Sequence, residues 1–120
     1  MKPSIDRTEF GSITISGELY EHDVVIRLSG KVKKRKKRLS KERYGTSHKV
    51  SFEEAQHIFR EGAKRLIIGT GQSGLLELSD EAARFFQKNG CKVELLPTPE
   101  AVNAWNDADG PVIGMFHVTC

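Results

Sequence analysis

Apolar and polar positions fall into two alternating rhythms along this chain. From Phe10 to Ser16, Phe10, Ser12, Thr14 and Ser16 alternate with Gly11, Ile13 and Ile15, the two-residue period of a half-buried strand. Gly17-Glu18 then predicts a turn. Asp23 to Leu28 reads as a second strand closed by Ser29-Gly30, and the two together predict an N-terminal antiparallel hairpin. From Ser51 the rhythm changes to the helical period. Phe52, Ala55, Ile58 and Phe59 share one face, Ser51 and Glu54 stand at capping-box spacing, and Gly62 predicts the stop. Leu66, Ile67 and Ile68 form a continuous apolar run, as in a strand buried on both faces.

The same alternation of element types repeats twice more. Ser79 predicts a second helix, with Asp80 and Glu81 at its positive end, an inner face of Ala82, Ala83 and Phe86, and Gly90 as its end. Cys91 to Leu96 reads as a strand, and Thr98-Pro99-Glu100 opens a third helix with Ala101, Val102 and Trp105 facing inward. Val112 to Thr119 is the last strand. The order predicts an α/β class: one layered domain over residues 1–120, with a mostly parallel central sheet, helices packed on it and the hairpin added.

Composition narrows the class. With 38% hydrophobic and 29% charged residues in 120, the chain has the balance of a soluble globular protein. Burying roughly two-thirds of the unfolded surface suffices for a core at this length. No apolar run reaches membrane-spanning length, and the first residues lack the apolar centre of a secretory signal. Only two cysteines, Cys91 and Cys120, occur, without metal-site spacing, so a reducing cytoplasm is the expectation. The net charge of +3 conceals one basic block: residues 31–43 hold nine basic residues and one acid, leaving a balance of −5 elsewhere. Val32 and Leu39 are too few to anchor that block by burial, so an exposed loop is expected there.

Candidate chemistry gathers after the apolar run. Gly69, Thr70, Gly71, Gln72, Ser73 and Gly74 form a glycine-rich loop that could cradle a small anion through backbone N–H groups. Thr46, Ser47, His48 and His117 are candidates to stand beside it, and His48 and His117 could meet. The loop fits GxGxxG, and Glu94 lies 20 residues beyond Gly74. A dinucleotide is nevertheless not the expected ligand, because Leu75 to Leu78 separate the glycines from the Ser79 cap and Glu94 sits in mid-strand. No cofactor and no metal are expected, and no catalytic set is assembled by spacing. Lys33, Lys34, Arg35, Lys36, Lys37 and Arg38 are the candidates for contact with a polyanion such as nucleic acid.

Four segments together, FGSITISGELY…DVVI, YGTSH, LIIGTGQSGLLELS and GMFHVTC, resemble one family of small α/β domains. It includes archaeal and bacterial stand-alone proteins, a vertebrate protein associated with adipocyte differentiation and a mitochondrial assembly factor for respiratory complex I. The resemblance spans nearly the whole chain. It implies a compact α/β domain and implies no enzyme activity, cofactor or catalytic residue.

The functional expectation is a non-enzymatic interaction or assembly-type module with a protein partner, carrying a small-anion pocket at the glycine loop. One alternative is an enzyme on a small phosphate-bearing substrate, with His48 or His117 moving the proton. The other is non-specific polyanion binding through residues 33–38.

Overall fold

A computed structural model describes residues 2–120. The apolar run becomes β7 (Arg65–Thr70), which sits in a five-stranded sheet of order β5-β4-β10-β7-β9. Its neighbours are β10 (Val112–His117) and β9 (Lys92–Leu96), both parallel to it. On the other side of β10 lie β4 (Val24–Ile26) and β5 (Val32–Lys34), each antiparallel to its neighbour. The sheet is therefore mixed rather than mostly parallel. The expected partner of residues 10–16 was residues 23–28, yet β4 instead pairs with β10.

The N-terminal strands form a separate antiparallel meander: β1 (Ile5–Glu9), β2 (Ser12–Ile15) and β3 (Glu18–Tyr20). Phe10 and Gly11 make its first turn instead of starting a strand, and Gly17 lies in its second. In β1 only Ile5 is buried, so its sequence carries little alternation to read.

Side-chain alternation splits the core into two layers. Val24, Ile26, Ile67 and Phe116 face the meander and α4 (Thr98–Asp107), where Trp105 stacks edge-on against Phe116. Gly114 makes room there, since a Cβ would stand 3.0 Å from the Trp105 ring. Val25, Leu66, Ile68, Ile113 and Met115 face the opposite way, onto α2 (Phe52–Ile58) and α3 (Asp80–Lys88). Ser51 and Ser79 cap these two helices, accepting hydrogen bonds from Glu54 N and Ala82 N. The α2 helix stops at Ile58, before Gly62, and Ala83 of α3 is exposed rather than inward.

The basic block is ordered structure, not an exposed loop. It forms β5 and α1 (Arg38–Tyr44), which precede the short β6 (Lys49–Val50), itself paired in parallel with β8 (Glu77–Leu78). Apolar burial does not hold it; a buried polar network does.

Candidate functional site

That network centres on Arg35. Its guanidinium is fully buried and donates to both oxygens of Glu54, at 2.6 and 2.9 Å, to Asp23 Oδ2 at 2.9 Å and to Ser47 O at 2.7 Å. Ser40 of α1 adds a hydrogen bond to Glu54, so α1, α2 and the residue that precedes β4 are tied through Glu54 and the Arg35 guanidinium. Glu54 thus completes only half of the capping box: its backbone is capped by Ser51, while its side chain serves Arg35. Arg35 is accordingly removed from the expected polyanion surface. Lys33, Lys34, Lys36, Lys37 and Arg38 remain exposed, with Arg38 3.7 Å from Glu42.

Asp23 continues the network to the end of β10. Its Oδ2 lies 2.8 Å from His117 Nδ1, and its Oδ1 accepts from Val118 N at 2.9 Å. Burial alone would raise the carboxyl pKa. The hydrogen bond and charge of His117, with Val118 N–H and the Arg35 guanidinium, outweigh it and hold the group at about 2. An ionised Asp23 makes Nδ1 of His117 the donor. Nε2 is then directed at Thr119 Oγ1, 3.3 Å away. The His48 ring meets the His117 ring edge-on, with centroids 5.3 Å apart. Thr46 and Ser47 approach through their backbone loop, with Thr46 Oγ1 accepting from His48 N.

The glycine loop reaches the same place but offers no anion cradle. Gln72 N donates to Thr119 O at 2.6 Å, while Ser73 N and Leu75 N donate to Cys120 O at 3.2 and 3.3 Å. Gly74 N turns back to Gly71 O, and Gly71 N donates to Thr98 Oγ1 at 2.9 Å. The amides expected to hold an anion are consumed by residues 119–120, by Thr98 and by the loop itself. Gly71 has φ +105°, and a Cβ there would stand 2.1 Å from the Cys120 carbonyl carbon, so close chain approach requires glycine. At Gly69 a Cβ would meet Thr98 Oγ1 at 2.8 Å. Ser73 is exposed, and Gln72 Nε2 ties the loop to Thr8 and Glu9 of the meander.

Among the described residues, no buried side-chain nitrogen or oxygen lacks a partner, and no group of three or more His, Cys, Asp or Glu is placed for a metal. Glu94 is engaged with the Arg65 guanidinium across β7 and β9, a structural role that leaves no ribose-binding acid. A cleft of about 250 Å³ opens over this region, lined in part by His22, Lys34, Lys37 and Thr119.

A second feature lies at the far edge of the sheet. Lys92 N donates to Lys64 O, so Lys92, Glu94 and Leu96 turn their backbone groups to β7. Val93 and Leu95 turn theirs outward, where the described residues provide no partner. Leu95 is 45% exposed, and beside it runs an apolar groove of about 540 Å³ lined by Leu78, Ala83, Cys91 and Val93. Burial raises the Cys91 thiol to about 11, leaving it an inert wall of that groove.

Sequence reasoning missed Asp23, Glu54 and Thr98 as site residues. The only signals were an acid opening an apolar strand and an acid at a cap position, both of which read locally.

A mixed sheet sandwiched between a three-stranded meander with one helix and a pair of helices defines a class of small α/β domain with several solved examples. The conserved hypothetical protein PH1505 from Pyrococcus horikoshii is 33% identical, with a TM-score of 0.88 over 98% of this chain and 99% of that one. The structure titled MT938 is 34% identical, with a TM-score of 0.83 over 99% and 100% of the two chains. A Bordetella pertussis protein described as a Mth938-like domain shares the fold at 15% identity, with a TM-score of 0.65 over 97% of this chain and 85% of that one. The chain itself belongs to the DUF498/DUF598 family, described as proteins of unknown function, whose model matches residues 5–109.

Proposed function

We infer that this protein is a protein-interaction module of the assembly type, working through the β9 edge and the groove between β9 and α3. The observation that carries this reading is the unpaired backbone of Val93 and Leu95 beside an apolar groove, with Leu95 exposed. The other sheet edge, β5, carries exposed Lys33 and Lys34, the charges that discourage strand pairing. A photoreactive residue in place of Leu95, with one in place of the exposed Glu61 as control, tests this reading in cells. A covalent protein adduct at position 95 and none at 61 is expected; no adduct at 95 above the control would overturn the reading.

A second reading, an enzyme on a small phosphate-bearing substrate, is favoured by one arrangement. The Asp23–His117–Thr119 line leads to a cleft with Lys34 and Lys37 at its rim, where a proton acceptor and cationic groups stand together. Hydrolysis of a panel of phosphomonoesters that is lost in His117→Gln would support it. Equal background rates in both proteins would remove it.

A further inference from the structure

We propose that the occupant of the β9 edge is a second copy of this chain, paired antiparallel through β9 about a twofold axis at Glu94. The proposal rests on the interaction reading above and adds the partner to it. Three features of the edge point to self-pairing.

The first is hydrogen-bond parity. The outward groups belong to Val93 and Leu95, residues spaced evenly about Glu94. A twofold there sets Val93 of one copy opposite Leu95 of the other. Each such pair exchanges two N–H···O bonds, as the hydrogen-bonded pairs of an antiparallel ladder do. Both copies thereby use all their outward N–H and C=O groups from Val93 and Leu95, and the strand edge disappears. A shift of the pairing by one residue along one strand would instead bring outward groups opposite inward ones.

The second is side-chain fit. Val93 packs on the α3 side of the sheet, and Leu95 lies on the same face over the groove. In the proposed register Leu95 of one copy lies beside Val93 of the other, at the groove wall formed by Cys91 and Ala83. An exposed leucine and an apolar groove on the same chain are thus mutually filled, as an isologous interface requires.

The third is charge. On the opposite face Glu94 meets Glu94 of the other copy in a non-hydrogen-bonded pair. Each carboxylate already carries its own Arg65. Lys92 of each copy stands on the diagonal to the other copy's Glu94, within reach of a lysine side chain. The two acids at the axis are therefore met by four cations.

The register gives a sharp test. Non-hydrogen-bonded antiparallel pairs have Cα atoms about 4.5 Å apart, inside the range a disulfide spans. Oxidised Glu94→Cys protein is expected to form a dimer of twice the 13.4 kDa chain, linked between the two residues 94 by peptide mapping. The unmodified protein is expected to sediment as a dimer at sub-millimolar concentration, and Leu95→Lys as a monomer with unchanged circular dichroism. A wild-type protein that stays monomeric, with no 94–94 linkage in the variant, overturns the proposal. If position 95 then still cross-links to a different protein, the interaction reading survives and only the second copy is lost. If position 95 captures nothing, both fail.

Discussion

At the scale of single residues, Arg35 shows how a charge can be read by its neighbours in sequence and used by its neighbours in space. Flanked by lysines, it looks like one cation of a solvated block. Folded, it is the buried bridge between Asp23 and Glu54. Removing one partner of such a pair leaves the others uncompensated, so Arg35→Ala is expected to cost about 3–5 kcal/mol in urea unfolding. Lys34→Ala, at an exposed neighbour, is expected to stay within about 0.5 kcal/mol. Asp23 gives the network a pH signature. Its folded pKa of about 2 lies below the ordinary 3.8, so its stabilisation is complete above pH 3.8 and is lost as the pH falls through 2. The gap corresponds to about 2 kcal/mol. Acid unfolding curves of the Asp23→Asn variant are therefore expected to be shallower than wild type between pH 4 and 2 by that amount.

At the scale of elements, legibility followed burial. The β7 run and α3, with its Ser79 cap and acidic first turn, lie where their local patterns put them, because β7 is buried on both faces and α3 lays one face on the core. Ser79→Ala is expected to lower stability by about 1 kcal/mol in thermal unfolding, the usual worth of an N-cap. The β1 strand escaped because Ile5 alone is buried in it. The β5 and α1 elements escaped because their order comes from Arg35 and Ser40 in a polar network, and hydropathy records only apolar burial. The glycine loop was legible as a tight turn. Its use was not, since the groups that fill it, Thr119 O and Cys120 O, lie some 45 residues away in the chain.

At the scale of the whole molecule, the mixed sheet makes β10 the keystone. It pairs with β7 on one side and β4 on the other, and its residues are buried throughout. Amide exchange is expected to be slowest at residues 113–116, opening only with global unfolding, and fastest among the strands in β3 at the meander edge. Topology was the least legible level because strand order depends on pairings between distant segments, and no local pattern distinguishes a hairpin partner for residues 23–28 from a strand ninety residues later.

That keystone also comes last of the five strands of its sheet in chain order. A ribosome releases β4 and β7 long before it releases Val112 to His117, so the nascent chain holds two half-sheets with a vacancy between them. The sheet closes only when that strand has been delivered. Until that strand arrives, the inner margins of both halves are templates for any strand that reaches them first.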